Sequence, residues 1–321
     1  MQPKTQAIIE FSLLALCVGV FLWFTYPKFS PAPVSLVEIS TTTRALPLFP
    51  QTDIEAQSAY VYDAFSGKTL YEKDPDTERP LASLTKLMSA LTASMVAPDY
   101  LLVRITPDDI REEGDTGLYV DESWNISDLL DYTLITSSND GIRAIAEAGG
   151  SIISSTSTDP VDLFVAKMNS LAKQIGLTET HFVNQSGLDV SKTLSGGYGS
   201  ARDIVMLVNY IIKNKPRLVE ATTLQKADIP SKQYDHVAVN TDVSIPNIPN
   251  IIASKTGYTD LAGGNLVVAF NAGLNHPVII SVLGSTYEGR FTDLVTLVKS
   301  TLTYLDATGE SGGIPLKRSN K

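Results

Sequence analysis

The stretch LASLTKLMSA, residues 81–90, places a hydroxyl and an amine three residues apart within an apolar helical pattern. Pro80 precedes it, and prolines are common where helices begin, so Ser83 is expected in the first turn of a helix. Residues three apart share one helix face, which brings the amine of Lys86 within hydrogen-bond reach of the Ser83 hydroxyl. A serine beside a lysine with a lowered pKa is a nucleophile with its own base. The structural alternative is that Ser83 caps the helix and Lys86 extends to solvent.

The spacing alone does not select this pair, because SLAK at 170–173 repeats it. Ser170 and Lys173 lie within a long amphipathic pattern whose apolar side is supplied by other residues. A polar surface position explains both of them. A choice between the two pairs therefore depends on partners elsewhere in the chain.

One such partner is SKTGYTD, residues 254–260, near the end of a predicted strand. It places the amine of Lys255 beside the hydroxyl of Thr256, a combination that suits a carboxylate, and Gly257 allows a close backbone approach by a substrate. Lys255 is also a second cation that can lower the pKa of another lysine. The structural alternative is a strand end with a turn glycine.

A second partner is ITSSNDG, residues 135–141, on a connection between two predicted helices. Connections often present functional side chains, here those of Ser137 and Asn139. The structural alternative is an N-cap at Ser138 or Asn139. A further Ser-x-Asn, SWN at 123–125, precedes a predicted helix and is interpreted as a cap only.

Composition narrows the classes of protein. The chain has 321 residues, 43% of them apolar, with a net charge of −10 and no basic run, so a globular protein is expected and nucleic-acid binding is not. Its single cysteine, Cys17, permits neither an intrachain disulfide nor a cysteine-based zinc site. The three histidines are far apart in sequence. No metal or cofactor is therefore expected.

The N-terminus carries a targeting signal, because residues 11–26 (FSLLALCVGVFLWFTY) are apolar and uncharged. With the apolar residues just before them they reach about 20 residues, or roughly 30 Å of helix, the thickness of a bilayer core. An uncleaved anchor is preferred to a removed signal peptide, since no small-residue cleavage site follows. The predicted organisation is a tail at 1–10, a transmembrane helix at 11–26, a proline-rich linker at 27–50, a folded domain at 51–307 and a flexible tail at 308–321.

The folded domain has strands at both ends. Alternating runs flank Ser66-Gly67, which predicts a hairpin, and strands are expected again at 250–257, 265–273 and 277–284 before a helix at 290–305. The middle, about 100–215, is predicted to be mostly helical. This order favours an α+β fold: an antiparallel sheet flanked by helices, with a helical subdomain inserted between its strands.

Taken together and in this order, Ser-x-x-Lys, Ser-x-Asn and Lys-Thr-Gly resemble the three motifs of penicillin-recognising serine enzymes. The chain is similar to the D-alanyl-D-alanine carboxypeptidase family, the low-molecular-mass penicillin-binding proteins. AYVYDAFSGKTLYEKDPD at 59–76 resembles the opening hairpin of that family, and THFVNQSGLD at 180–189 resembles another of its segments. The resemblance covers about 55–305 and implies a penicillin-binding-protein/β-lactamase-like fold.

The resemblance also implies roles for residues of the first two motifs. Ser83 attacks the carbonyl between two D-alanines, and Lys86 is the base that activates it. Ser137 relays a proton towards the leaving amine, while Asn139 holds Lys86 and the substrate backbone. An acyl-enzyme forms and is hydrolysed by water.

For the third motif, the resemblance implies that Lys255 and Thr256 bind the terminal carboxylate, next to Gly257. The oxyanion is bound by the N–H groups of the nucleophile and of Tyr258, and Lys255 also lowers the pKa of the base. Arg290 is a further expected carboxylate contact. Family members often have histidine where this chain has Tyr258, which bears on substrate fit.

The expected protein is a membrane-anchored serine DD-carboxypeptidase outside the cytoplasmic membrane. Its partners are peptidoglycan stem peptides, with β-lactams as covalent inhibitors, and no nucleic acid. A DD-endopeptidase using the same residues is the near alternative; a β-lactamase, an esterase or a non-catalytic wall-binding protein are weaker ones. The Glu-x-x-Leu-Asn motif of class A β-lactamases is missing. His181, Asn184 and Asp189 are expected to hold a loop at the rim of the cleft.

Overall fold

The computed structural model of the chain describes residues 47–114, 117–156 and 159–310. The strands are β1 (Ser58–Asp63), β2 (Lys68–Lys73), β3 (Arg79–Pro80), β4 (Leu102–Arg104), β5 (Ser123–Asn125), β6 (His181–Phe182), β7 (Gly197–Gly199), β8 (Lys226–Pro230), β9 (Asp235–Val239), β10 (Ile251–Thr259), β11 (Gly263–Asn271) and β12 (Pro277–Ser285). The helices are α1 (Thr85–Val96), α2 (Ile126–Thr136), α3 (Asn139–Ile153), α4 (Pro160–Gln174), α5 (Ala201–Asn214), α6 (Arg217–Glu220) and α7 (Gly289–Thr308).

The predicted membrane segment 11–26 and nearly all of the linker and tail lie outside the described residues. Within the described ranges, no helix combines the length and apolar composition needed to cross a membrane.

The main sheet joins the two ends of the folded chain. Its strand order is β10-β11-β12-β1-β2, and every neighbouring pair is antiparallel. Strand β12 lies beside β1, with Ala59 opposite Val282. The hairpin predicted at Ser66-Gly67 connects β1 to β2, and Gly67 adopts the positive φ of 73° that this turn requires. The α+β prediction is therefore confirmed.

Both faces of the sheet are buried. In β11, Leu266, Val268 and Phe270 point to one face, where they pack in a core with residues of α7. Val267 and Ala269 point to the other face and join the core formed by the helices between the strands. Side chains alternate between the faces of a strand, so a continuous apolar run is what a sheet covered on both sides requires.

Helix α1 runs through the helical core. Its residues from Thr85 to Ala93 are all buried, because the helix carries small and apolar residues on every side. Lys86 is thus surrounded by protein and is fully inaccessible to solvent. The structural alternative in which its amine reaches solvent is wrong.

Helix ends follow the expected local signals with small shifts. Asn125 precedes α2 as predicted, but its side chain makes no capping hydrogen bond, and the SWN segment that contains it also forms β5. Ser138 caps α3 by accepting a hydrogen bond from the N–H of Gly141 at 2.9 Å. Gly176 follows α4 with a positive φ of 83°, as a C-terminal glycine should. The β8–β9 hairpin was not predicted.

Candidate active site

Ser83 lies in a 3-10 turn, Ala82–Leu84, directly before α1. Ala82 adopts a φ of 49°, which is rare for a residue with a Cβ, and it is completely buried. Backbone of this kind costs about 1–3 kcal/mol and persists where the surroundings hold it. The turn thus presents the Ser83 hydroxyl and N–H from a rigidly packed position.

The amine of Lys86 makes three hydrogen bonds. Its Nζ lies 2.8 Å from Ser83 Oγ, 2.7 Å from Asn139 Oδ1 and 2.9 Å from the carbonyl oxygen of Ser186. An amide oxygen and a peptide oxygen only accept hydrogen bonds, whereas a hydroxyl can also donate. When Lys86 is neutral it has two hydrogens and one lone pair. The two hydrogens go to Asn139 and Ser186, and the lone pair then faces the Ser83 hydroxyl proton.

The orientation of the Asn139 amide supports this arrangement. Its Nδ2 donates to the carbonyl oxygen of Glu113 at 2.5 Å, so Oδ1 is the atom that faces Lys86. Asn139 is the first residue of α3, and the cap at Ser138 holds that turn in place. The hydrogen-bond network thus assigns which amide atom is the acceptor.

The surroundings of Lys86 favour its neutral form. Its burial lowers its pKa well below the usual value, and the nearby amine of Lys255 lowers this pKa further, against a smaller opposing effect of Glu112. Burial disfavours the charged form of a lysine, and a like charge does the same. The expected effect of Lys255 on the base is confirmed in direction.

Lys255 lies on β10, the edge strand of the main sheet. Its Nζ donates to Ser137 Oγ and to the carbonyl oxygen of Thr256, both at 2.8 Å. Burial, together with the charge of Arg290, lowers the pKa of Lys255 to about 7. Ser137 ends α2 with a φ of 63°, which directs the chain from α2 into α3. The three motifs therefore meet in one site, as the sequence predicts.

Gly257 brings the edge strand against the nucleophile turn. A Cβ at this position would lie 2.9 Å from the Leu81 carbonyl oxygen, 3.1 Å from the Ser83 nitrogen and 3.2 Å from the Ala82 Cβ. Glycine is needed here because two protein backbones pack against each other. The close approach of a substrate backbone to Gly257 stays a prediction.

The other predicted binding residues differ in their accessibility. Thr256 is buried, and its hydroxyl lies 2.6 Å from that of Thr241. Tyr258 is 46% exposed, with its ring packed edge-on against Tyr287 at 5.0 Å. Arg290 is only 4% exposed, and its Nη1 donates to the Gly257 carbonyl oxygen at 2.8 Å. A carboxylate contact by Arg290 stays a prediction.

The segment 180–189 holds the loop beside the base. Asn184 Oδ1 accepts from the N–H groups of Ser186 and Gly187, and its Nδ2 donates to the Leu188 carbonyl. Asp189 accepts from the Thr259 hydroxyl at 3.0 Å and so joins the loop to β10. Both contacts match the predicted role of a loop holder.

His181, the third residue of that prediction, stacks on Tyr198 with ring centroids 5.0 Å apart. Sequence reasoning missed the Ser186 carbonyl and the Thr241 hydroxyl. Neither has a side-chain signal that identifies it, since one is a backbone atom and the other an isolated threonine.

The second Ser-x-x-Lys pair lies elsewhere. Ser170 and Lys173 are exposed on α4, and Ser170 accepts only a long contact of 3.4 Å from Gln174. The surface interpretation of SLAK is thereby confirmed. Across the described residues, no group of three or more His, Cys, Asp and Glu side chains is arranged to hold a metal ion.

Three features together are typical of a penicillin-recognising serine hydrolase. A serine is hydrogen-bonded to a buried lysine whose pKa is lowered, a second buried lysine donates to another serine, and an edge strand lies beside the nucleophile. The family model described as D-alanyl-D-alanine carboxypeptidase matches residues 41–286. The chain belongs to this family of serine-type hydrolases.

Individual relatives agree with the family model. D-alanyl-D-alanine carboxypeptidase DacB2 of Mycobacterium tuberculosis is 31% identical over 241 residues, covering 75% of this chain and 79% of that one. The D-alanyl-D-alanine endopeptidase of Escherichia coli is 27% identical, covering 82% and 80%. Some relatives are longer: the chain spans 60% of E. coli DacA.

Solved structures share the fold. The crystal structure of a D-alanyl-D-alanine carboxypeptidase from M. tuberculosis has a TM-score of 0.69 at 28% identity, covering 80% of this chain and 94% of that one. Penicillin-binding protein D2 of Listeria monocytogenes, in its ampicillin-bound form, has a TM-score of 0.66 at 26% identity, covering 78% and 99%. The penicillin-binding-protein/β-lactamase-like fold is therefore confirmed for the folded domain.

Proposed function

We propose that the chain is a serine D-Ala-D-Ala carboxypeptidase that removes the terminal D-alanine from peptidoglycan stem pentapeptides and is acylated by penicillin. One observation carries this proposal: of the three hydrogen-bond partners that Lys86 has among the described residues, only the Ser83 hydroxyl can donate a proton to a neutral amine. Membership of the carboxypeptidase family supports the choice of substrate.

The first half of the reaction forms an acyl-enzyme. Ser83 Oγ attacks the carbonyl carbon between the two D-alanines while its proton moves to Lys86. The developing oxyanion accepts hydrogen bonds from the N–H groups of Ser83 and Tyr258, which lie on opposing backbones at the closest approach of β10 to the turn. The C–N bond then breaks, and the proton held by Lys86 passes to the leaving nitrogen with Ser137 as the relay. D-alanine leaves, and Lys86 is neutral again.

The second half reverses these roles. Water attacks the ester carbonyl of the acylated Ser83, and its proton moves to the neutral base. The ester C–O bond breaks, and the serine oxygen regains a proton from Lys86. The shortened peptide leaves as a carboxylic acid, which then ionises by releasing its proton to solvent.

The terminal carboxylate of the substrate supplies a directly paired counterion for Lys255. Lys255 is buried, and its described hydrogen-bond partners are a hydroxyl and a carbonyl oxygen, neither of which carries charge. A carboxylate beside Lys255 and Thr256 would pair with this amine. The carboxylate of penicillin fits the same position, which supports its acylation of the enzyme.

A DD-endopeptidase is the second candidate. The similarity to the E. coli endopeptidase, over 80% of that chain, favours it specifically. Both reactions use the same nucleophile and base, and they differ in whether the leaving amine belongs to a free D-alanine or to a second peptide.

Anchoring in the cytoplasmic membrane, with the catalytic domain outside, is part of the proposal. Its support is the apolar, uncharged composition of residues 11–26. Fractionation of cells that express the full chain, followed by alkaline extraction, tests it. Recovery in the alkaline-soluble fraction would contradict a transmembrane anchor, and external protease sensitivity of the domain tests the orientation.

The nucleophile is tested by acylation with a fluorescent penicillin. The full chain should be labelled, Ser83→Ala should not be labelled, and Ser170→Ala should be labelled like the wild type. Ser170 is the matched control because it begins the other Ser-x-x-Lys pair. Labelling that survives the loss of Ser83 would falsify the assignment.

The choice of reaction is tested with two substrates. Purified pentapeptide muropeptides should lose D-alanine, and cross-linked dimers should remain intact if the enzyme is a carboxypeptidase. Cleavage of dimers without release of D-alanine from pentapeptides would favour the endopeptidase. Ser83→Ala serves as the blank for both substrates.

A further inference from the structure

Arg290 contacts the same peptide unit that carries the Tyr258 N–H. Its Nη1 donates to the carbonyl oxygen of Gly257 at 2.8 Å, and that carbonyl belongs to the peptide bond between Gly257 and Tyr258. A trans peptide is planar, with its C=O and N–H pointing in opposite directions. The hydrogen bond from the arginine therefore helps the β10–β11 pairing to hold the direction of the Tyr258 N–H, although the arginine does not touch that group.

Hydrogen bonding along β10 shows which way this N–H points. The N–H of Ser254, four residues before Tyr258, donates to the Thr222 hydroxyl at 3.1 Å and so points away from β11, towards the free edge of the sheet. Backbone groups of every second residue in a strand point the same way, so those of Tyr258 follow those of Ser254. The Gly257 carbonyl then faces β11, and the Tyr258 N–H faces the free edge of the sheet.

The arginine is held firmly enough for this task. Its guanidinium carbon lies 4.4 Å from the ring centre of Tyr287 and 4.6 Å from that of Phe291. Stacking on aromatic rings stabilises a buried guanidinium. The Arg290 side chain is 4% exposed, whereas Tyr258 on β10 is 46% exposed.

The charge adds to the geometric effect. A cationic donor on a carbonyl oxygen polarises the peptide, and linked hydrogen bonds strengthen one another by about 10–30% in condensed-phase estimates. The Tyr258 N–H should therefore be a stronger donor with the arginine in place.

We propose that Arg290 is a positioning residue, which orients and polarises the 257–258 peptide so that the Tyr258 N–H can stabilise the oxyanion. This inference deepens the proposed function and rests on it. It differs from the carboxylate contact implied by the family resemblance, because it predicts an effect on substrates that have no carboxylate.

The experiment compares two acylating probes on the full chain: a fluorescent penicillin, which carries a carboxylate, and 4-nitrophenyl acetate, which does not. Acylation rates are taken on the plateau of each pH profile, because removing the arginine charge also affects Lys255. Ser83→Ala gives the background hydrolysis of the ester. If the wild type shows no Ser83-dependent acylation, the proposed function itself fails, which is a separate outcome.

Arg290→Met should slow acylation by both probes, about 10-fold or more, with the loss in kcat rather than in KM. Arg290→Gln, which can still donate to the carbonyl, should recover part of the rate. Arg202→Gln is the matched control, because Arg202 also lies over a ring, that of Tyr60 at 4.4 Å, and pairs with Asp76. It should acylate like the wild type.

A loss confined to the penicillin would overturn the inference and leave a carboxylate contact. Ester acylation at the wild-type rate in Arg290→Met would overturn it as well. The thermal unfolding of each variant is measured alongside its acylation rate. If Arg290→Met does not fold, Arg290→Lys and Arg290→Gln are compared, and equal wild-type ester rates in both would also contradict the proposal.

Discussion

Gly257→Ala tests whether the contact between β10 and the nucleophile turn builds the site. Gly257 has an ordinary strand conformation, so only steric overlap opposes an alanine there. The new methyl group would lie 2.9 Å from the Leu81 carbonyl oxygen, where ordinary contact begins at 3.4 Å. The strand must therefore move away from the turn by about 0.5 Å, because both partners are backbone.

That movement separates the two proposed oxyanion donors, the N–H groups of Ser83 and Tyr258. Complete loss of one such donor slows acyl transfer about 100- to 1000-fold, and a misplacement of about 1 Å can cost 100-fold. We expect Gly257→Ala to slow penicillin acylation by about 10- to 100-fold. Overpacking should lower the free energy of unfolding by about 1–3 kcal/mol.

Gly176→Ala is the control for a general loss of stability. A Cβ on Gly176 meets no atom within 4 Å, but its φ of +83° makes alanine unfavourable by roughly 1–2 kcal/mol. The two variants should therefore lose similar stability, and only Gly257→Ala should lose acylation. Stopped-flow labelling with a fluorescent penicillin and urea unfolding give the two quantities. Equal acylation rates in both variants would refute the reasoning.

Three further predictions follow from the site and the core. Lys255→Ala removes a positive charge near Lys86 and so raises the pKa of Lys86. Because Lys86 is a base only when neutral, the acidic limb of the acylation pH profile should move to higher pH, and an unmoved limb would contradict this. Asn184→Ala leaves buried N–H groups without acceptors, so the free energy of unfolding should fall by about 1–3 kcal/mol. Acylation should also slow because the Ser186 carbonyl shifts, and a wild-type acylation rate would contradict this. Phe270→Ala should cost about 3–5 kcal/mol in urea unfolding without changing acylation per folded molecule, and a changed rate contradicts it.

The sequence predicts the strands of the sheet well because their pattern is local. The apolar run of β11 and the hairpin at Ser66-Gly67 depend on side-chain alternation and on one residue with positive φ. The β8–β9 hairpin escaped prediction, since its exposed Val237 and Val239 give it a mixed pattern and no two-residue glycine turn marks it.

The site could be predicted where side chains carry the chemistry. Ser83, Lys86 and Lys255 were found because hydroxyls and amines at these spacings have few structural explanations in combination. Backbone groups carry no such signal. The Ser186 carbonyl accepts from the base only because the loop around Asn184 folds over α1, and no residue type encodes that contact.

Glycine and arginine show a different limit. Both Gly257 and Arg290 were noticed in the sequence, but each was assigned to direct contact with substrate. Their observed partners are protein backbone atoms: the turn at 81–83 for the glycine and a strand carbonyl for the arginine. A sequence can indicate that a residue matters near a site, but the partner that explains it depends on three-dimensional packing.

The two lysines of the site divide the charge between them. Buried cations are normally paired with carboxylates, yet among the described residues the hydrogen-bond partners of Lys86 and Lys255 are all uncharged oxygens. A carboxylate entering alone would favour protonation of Lys86 and so remove the base. Lys255, with a pKa of about 7, can take up a proton when the carboxylate binds, and the resulting pair is neutral overall. In the proposed reaction, the substrate thus gains its counterion while Lys86 keeps the lone pair that faces Ser83.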